Sequence, residues 1–231
     1  MSNMPTIRGS AQARLILYRL LSLKITDAEL KLLSADSSQW GKILLALETG
    51  IDKATKSDRT TLNQAFSQID QTTRKGLQHQ IERLTGQSFW LGIHATELLE
   101  SFIAEHTKLI KSVQLEYLDK IGFTIDRGIR NGHLQKDIAK NIRHLTSLSK
   151  KRAQLIARNA PLQYSGALTR HHQTSSGIKS YRWQTSYDER VRDSHKSRDG
   201  KIYDWNAVGP YPRSEVNCRC DAIPILEVLT R

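Results

Sequence analysis

The chain contains 231 residues, of which 38% are hydrophobic and 25% are charged, and its formal net charge is +12. This balance is typical of a folded globular protein and excludes a disordered chain. No apolar run of about 18 residues occurs, so neither a membrane span nor a membrane partner is expected. The N-terminus lacks the pattern of a signal peptide, and two cysteines separated by one residue do not make a disulfide framework. We expect a protein that stays in a reducing cytoplasm unless a larger assembly carries it elsewhere.

The first 120 residues repeat apolar side chains at intervals of three and four, which predicts amphipathic helices. Thr26-Asp27-Ala28-Glu29 has the form of a capping box and predicts that a second short helix begins there. Gly50 and Gly86 are predicted to end the helices that precede them. Because narrow apolar stripes on long helices need a covering surface, we expect an extended bundle or contacts with another subunit. The predicted helices cover residues 11–24, a short segment from residue 26, about 38–50, 58–84 and 96–118.

Residues 121 to 175 are predicted to form shorter helices with sharp ends. The dipeptide Asn131-Gly132 is expected to break one helix, and Pro161 is expected to interrupt another. The polar segment 171–177 is predicted to be a turn that separates the helices from the last element.

Basic residues dominate part of this region. Between residues 127 and 158 there are nine lysines and arginines and a single acidic residue, Asp137. A field of one sign attracts a polyanion, most simply double-stranded DNA, through its phosphates. No zinc-finger spacing and no RNA-recognition signature is present, so we expect contact without sequence specificity. The alternative is a solvated helix face without a ligand. The predicted DNA-binding residues are Arg127, Arg130, Lys136, Lys140, Arg143, Lys150, Lys151, Arg152 and Arg158.

From Ile178 onward the pattern changes to the alternation of a strand. Tyr181, Trp183 and Thr185 alternate with polar residues, Asp199-Gly200 predicts a turn, and residues 201–205 predict a returning strand. A last strand is predicted over 216–223, with both cysteines on one face. The predicted fold class is α+β, with a mostly α-helical N-terminal two-thirds and a small antiparallel β-rich C-terminal domain.

The same C-terminal segment carries an extended motif. Residues 183–200 read W-x-T-x-x-D-x-R-V-R-x-x-H-x-x-x-D-G, and residues 217–220 read N-C-R-C. This motif resembles the C-terminal domain of phage minor head proteins of the Mu F-like head-morphogenesis family. Helical sequence around 128–132, 137–138 and 157–166 resembles the lead-in to that domain, so the resemblance covers roughly residues 121–226. The residues that carry the motif are Trp183, Asp188, Arg190, Arg192, His195, Asp199, Gly200, Asn217 and Arg219.

The resemblance implies a minor capsid protein that is bound to the portal inside the phage head in few copies. Such a protein is made in the cytoplasm of the host bacterium and assists head assembly, DNA packaging or DNA delivery. Its expected partners are the portal protein, scaffold or major capsid protein, and DNA. The implied organisation is a helical region at 1–120 for portal or capsid contacts and a head-morphogenesis domain at 121–231. Within that domain, basic helices occupy 121–175 and a small β element occupies 176–231.

Two departures from the family pattern concern possible ligands. Asn159 stands where many members have an acidic residue, and residues 192–195 replace a Cys-x-x-Cys that some members carry. The remaining donors could complete a tetrahedral zinc site, so the cofactor prediction is either none or one structural zinc. The metal-free alternative buries the cysteines, pairs His195 with Asp188, and pairs Arg190 or Arg192 with Asp199 or Asp221. The predicted ligands are Asp188, His195, Cys218 and Cys220.

The same cluster leaves an enzyme as the alternative function. Cysteine, histidine and aspartate together are typical of thiol nucleophiles with a base, or of a metal-dependent hydrolase or transferase in a toxin-like domain. However, no glycine-rich segment or helix start that would form an oxyanion hole is evident near either cysteine. The sequence therefore favours a protein without catalytic activity. A general nucleic-acid-binding protein with no role in the virion is a third class.

Overall fold

The computed structural model describes residues 8–88, 91 and 95–226. Four long helices precede a small sheet: α1 (Arg8–Ser34), α2 (Trp40–Thr85), α3 (Thr96–Arg130) and α4 (Gln135–Ser175). A short 3-10 turn, Ser37–Gln39, leads into α2. The strands are β1 (Ser180–Gln184), β2 (Ile202–Asp204) and β3 (Asp221–Ile225), and the single-turn helix α5 (Asp193–Lys196) lies between the first two. The α+β fold class is confirmed. No described helix is long and apolar enough to cross a membrane.

Two predicted helix boundaries in the first 85 residues are wrong. The capping box at Thr26 does not begin a helix, because the hydroxyl of Thr26 donates to the carbonyl of Ser22 inside α1, 3.0 Å away. Gly50 does not end a helix either, since it lies inside α2, which is 46 residues long and ends only at Thr85. Glycine costs a helix interior only about 1 kcal/mol, which packing on either side can offset. Gly86 does follow the end of α2, with a φ of 69°.

The predicted interruptions of the basic region are correct at one position and wrong at two. Gly132 has a φ of 68° and separates α3 from α4. Pro161, in contrast, lies inside α4, which runs unbroken for 41 residues. The polar segment 171–177 is also mostly helix, because α4 continues to Ser175 and only the turn Ser176-Gly177, with a φ of 80° at Gly177, follows it. The polar residues of this segment suggested a turn, but one of them, Gln173 at the end of α4, bonds to the carbonyl of Ala222 in β3.

The sheet is antiparallel, and its strand order is β2-β1-β3. Tyr181 is opposite Tyr203 on one side and Pro224 on the other, and Trp183 is opposite Ala222. Tyr181 and Trp183 are buried while Arg182 between them is exposed, so β1 has the predicted alternation. Its inner face packs with Trp205, Cys218 and Cys220 in a compact core.

The chain divides into two compact units, which we call the helical unit (14–64 and 101–157) and the sheet unit (1–13, 65–100 and 158–231). The predicted boundary at residue 120 falls within α3. The domain division stays a prediction.

The helical unit has an apolar interior made by long helices. Leu17, Leu21 and Ile25 of α1 are fully buried, as is Ile142 of α4. Among the described residues, this interior also holds four buried polar side chains, those of His106, Thr107, Gln114 and Thr146. The amide of Gln114 donates to the carbonyl of Leu20 at 2.9 Å. The helical periodicity of apolar side chains therefore explains which residues are buried in most of this unit.

The sheet unit combines apolar contacts with buried polar ones. Phe66 and Tyr164 meet edge to face, with ring centroids 4.9 Å apart. His172 and Asp70 are both buried, and their side chains are 3.1 Å apart. Gln173 is fully buried at the C-terminal end of α4. Its amide donates to the carbonyl of Ala222 at 2.8 Å and accepts from the indole N–H of Trp205 at 3.0 Å.

Candidate functional site

Three of the four predicted metal ligands converge in the sheet unit: His195, Cys218 and Cys220. Their donor atoms lie within 4.8 Å of one another. Nδ1 of His195 is 3.6 Å from Sγ of Cys218 and 3.4 Å from Sγ of Cys220. The residues are 3%, 3% and 2% exposed, respectively. We call this the His-Cys cluster.

Local backbone geometry positions the three side chains. His195 is on α5, in the connection between β1 and β2, whereas the cysteines precede β3. The predicted last strand at 216–223 is wrong in its first half, because β3 begins only at Asp221. Asn217 has a φ of 58°, a left-handed conformation that does not fit a strand. Both thiols nevertheless point to the same side, towards His195.

A carboxylate that the sequence did not single out completes the surroundings of the histidine. Oε2 of Glu215 lies 2.5 Å from Nε2 of His195. Arg192 approaches the same carboxylate at 3.5 Å and also donates to the carbonyl of Val216. The only signal in the sequence is that Glu215 lies three residues before Cys218, which indicates proximity but not contact. Glu215 therefore orients His195 so that Nδ1 faces the sulfurs.

Asp188, the fourth predicted ligand, has other partners. Its carboxylate accepts from Arg219 at 2.7 Å and from the backbone N–H of Arg190 at 2.9 Å. The predicted hydrogen bond between Asp188 and His195 is therefore wrong, because Glu215 occupies the histidine nitrogen.

The predicted pairs of Arg190 or Arg192 with Asp199 or Asp221 are wrong as well. Asp199 accepts from the backbone N–H of Thr185 at 2.8 Å and so supports the turn at Gly200, where φ is 76°. Asp221 pairs with Arg213. Trp183 is fully buried and packs its ring edge to face against His195, with centroids 5.2 Å apart.

The loop that carries the cysteines rests against α4 within the sheet unit. An added Cβ on Gly166 would lie 2.7 Å from Cβ of Arg213 and 2.8 Å from the carbonyl oxygen of Pro212. Only glycine allows so close an approach. Arg213 itself has a φ of 70°, and its guanidinium donates to the hydroxyl of Ser165 at 2.9 Å. Oδ1 of Asn159 accepts from the backbone N–H of Asn217 at 2.9 Å.

The two thiols have different chemistry. A hydrogen bond from the Cys220 side chain lowers the pKa of Cys218, and the backbone N–H groups of Cys220 and Arg213 lower it further. The Arg213 nitrogen is 3.2 Å from the Cys218 sulfur. The hydrogen bond between the two cysteine side chains, together with burial, raises the pKa of the Cys220 thiol. A thiolate at Cys218 is thus stabilised, but burial of both sulfurs favours a structural role over catalysis on a substrate.

The predicted DNA-binding residues fall into two groups. The first group has four members. Three of them form ion pairs that partly offset their charge: Arg130 with Asp126 at 3.0 Å, Lys150 with Glu29 at 3.4 Å, and Arg152 with Glu116. The fourth, Arg158, is exposed but lies in the sheet unit. The others are exposed in the helical unit. They are Arg127, Lys136, Lys140, Arg143 and Lys151.

Residues 119–223 match the family described as "Phage Mu protein F like protein". This range includes the basic residues of α4 and the His-Cys cluster. An uncharacterized protein of Haemophilus influenzae (strain ATCC 51907 / DSM 11121 / KW20 / Rd) is 34% identical over 194 residues, which is 79% of this chain and 43% of that protein. The chain thus spans less than half the length of this relative. No solved structure matches.

The region that is similar to this family combines a helical lead-in with a small sheet that holds a buried histidine and two cysteines. Residues 119–223 are similar to the Phage Mu protein F like family, which confirms the resemblance stated from the sequence.

Proposed function

We propose that this protein is a minor component of the phage head, bound to the portal inside the head in few copies, which contacts packaged DNA without sequence specificity. It assists head assembly, DNA packaging or DNA delivery. The observation that carries the DNA contact is an exposed basic stripe on α4 in the helical unit, formed by Lys136, Lys140, Arg143 and Lys151.

Helical spacing places these four side chains on one side of α4. At about 100° per residue, they lie within a sector of about 80°. The stripe extends for about 22 Å at a rise of about 1.5 Å per residue, long enough to follow several phosphates of a duplex. The one acidic residue of α4, Asp137, lies outside this sector. A one-sided row of cations supports backbone contact, whereas charges scattered around the helix would support only solubility.

An exposed apolar row on α1 supports a protein contact for the same unit. Leu15, Leu23 and Leu30 are 63%, 56% and 64% exposed, and their spacing of eight and seven residues places them on one side of the helix. Leucines in such a row are typical of surfaces that another protein covers. Contact with the portal or the capsid through the helical region is consistent with this row.

Removing the stripe tests the DNA contact. We expect Lys140→Ala/Arg143→Ala/Lys151→Ala to weaken binding to duplex DNA and to reduce the slope of log affinity against log salt by up to about 2.7, or about 0.9 per lost phosphate contact. The matched control is Lys42→Ala/Arg59→Ala/Lys108→Ala, which removes three exposed cations from other helices of the same unit. Fluorescence anisotropy over a salt series measures both variants. Equal slopes for the two triple variants would contradict the stripe.

Sedimentation separates the head protein from a general DNA-binding protein. We expect the protein in purified heads, and we expect it to remain with the portal when heads are disrupted and treated with nuclease. A protein that disappears from the portal fraction with the DNA, or that is absent from heads, would overturn portal binding.

A further inference from the structure

We propose that the His-Cys cluster is a zinc site with three protein ligands, Nδ1 of His195 and the sulfurs of Cys218 and Cys220, and that Asp188 is not among them. This site is independent of the proposed role in the head. The sequence motif had suggested four ligands. The geometry brings three of them together, and it places Glu215 against the far nitrogen of His195, where it orients the ring.

Interatomic distances fit a tetrahedral ion. Metal–sulfur bonds of about 2.3 Å and metal–nitrogen bonds of about 2.0 Å at tetrahedral angles separate nitrogen from sulfur by about 3.5 Å. The two observed separations between Nδ1 and Sγ are 3.6 and 3.4 Å. Both separations therefore match those of ligands that share one tetrahedral ion, and all three donor atoms lie within 4.8 Å of one another.

The opposite nitrogen of the ring has the partner that a metal-bound histidine usually has. Nε2 of His195 is bonded to the carboxylate of Glu215, so the proton resides on Nε2 and the lone pair of Nδ1 is directed at the sulfurs. A carboxylate in this position fixes the tautomer and raises the basicity of the ring. Glu215 is therefore a positioning residue, and it is 44% exposed at its side chain.

Backbone donors surround the first sulfur. The N–H of Arg213 donates to Sγ of Cys218 at 3.2 Å, and Arg213 has a left-handed conformation with a φ of 70°. N–H donors stabilise negative charge on a ligating sulfur. A backbone held in an uncommon conformation beside three donor groups is typical of a functional or structural centre.

The size of the sheet supplies the reason for a metal. Its strands have five, three and five residues, too few to make a stable element from backbone pairing alone. A metal would join α5 to the segment before β3 and would close the chain between residues 195 and 218. Among the described residues, the cluster contains only these three donor side chains. We therefore expect the fourth ligand of a tetrahedral zinc to be a water molecule or a donor from another molecule.

The test begins with the full chain and zinc alone. We expect one zinc per chain by mass spectrometry of protein purified without chelator, and a lower Tm after zinc is removed. Cobalt substituted into the metal-free protein should give thiolate charge-transfer bands and the visible spectrum of a tetrahedral ion. Protein that lacks stoichiometric zinc, takes up no cobalt and keeps its Tm in chelator would overturn the proposal, because it would show that hydrogen bonds alone hold the cluster.

Variants then separate the ligand sets. Cys218→Ser and Cys220→Ser should lose the metal, but both could simply prevent folding. Two milder variants therefore decide the matter: Glu215→Gln should weaken zinc binding about 10- to 100-fold in competition with a chromophoric chelator, and Asp188→Asn should leave it unchanged. A loss of cobalt charge-transfer intensity or of zinc affinity in Asp188→Asn, with Glu215→Gln unaffected, would show that the four-ligand assignment is right and ours is wrong.

Discussion

The helical unit and the sheet unit are stabilised in different ways. In the helical unit, buried apolar side chains of long helices face one another, and the amide of the buried Gln114 donates to the carbonyl of Leu20. In the sheet unit, a short sheet depends on Gln173, on the close approach at Gly166 and on the His-Cys cluster. The difference shows that a large apolar face tolerates many sequences, whereas a small element requires particular polar groups at particular positions.

Matched substitutions of the two buried glutamines should show the largest difference between the units. Gln173→Leu leaves the indole N–H of Trp205 and the carbonyl of Ala222 without their partner, and we expect a loss of about 2–4 kcal/mol in the free energy of unfolding. Gln114→Leu removes one bond to a carbonyl inside α1 and should cost less than about 1 kcal/mol. Urea denaturation of both variants measures the difference. Similar losses in the two would contradict the comparison.

Glycine-to-alanine substitutions in α4 and α3 should give opposite signs. Gly166→Ala places a methyl group within 2.7 Å of Arg213 and should cost about 1–3 kcal/mol. Gly122→Ala meets only Leu44 Cδ1 at 3.7 Å, so it should be neutral or stabilising by up to about 1 kcal/mol through helix propensity. Thermal unfolding followed by circular dichroism measures both. A stable Gly166→Ala protein would show that the cysteine loop does not rest on α4 as described.

The smallest effect should come from Gly50 in the middle of α2. An added Cβ there meets no atom within 4 Å, so Gly50→Ala should stabilise the protein by about 0.5–1 kcal/mol and raise the Tm by a few degrees. Gly132→Ala is the control, because Gly132 has a φ of 68° and its replacement should destabilise. If Gly50→Ala destabilised as much as Gly132→Ala, α2 would end near Gly50 after all.

The contrast between the units also explains what the sequence could and could not predict. Apolar spacing predicted the helices themselves, and alternation at Tyr181 and Trp183 predicted β1. Helix ends were less predictable, because Gly50 and Pro161 interrupt a helix only when tertiary contacts fail to hold it. Thr26 has the residues of a capping box but bonds backward to Ser22.

For the candidate site, residue types predicted the chemistry but not the partners. His195, Cys218 and Cys220 were identified because they are rare and close in sequence. Glu215 was missed, since one carboxylate among several near the motif carries no periodic signal. Glu215, rather than Asp188, contacts His195, and the loop that carries Glu215 turns through two left-handed residues, Arg213 and Asn217. Such a turn is a property of the folded loop rather than of any short pattern.

The hydrogen bond between Asn159 and the backbone of Asn217 has a consequence for reading diverged sequences. The resemblance implies an acidic residue where this chain has Asn159, and the amide oxygen of Asn159 accepts an N–H that a carboxylate could accept as well. The exchange of Asp for Asn at this position changes the net charge by one and preserves the bond. Relatives that look dissimilar at position 159 are therefore better compared by the acceptor they offer than by the charge they carry.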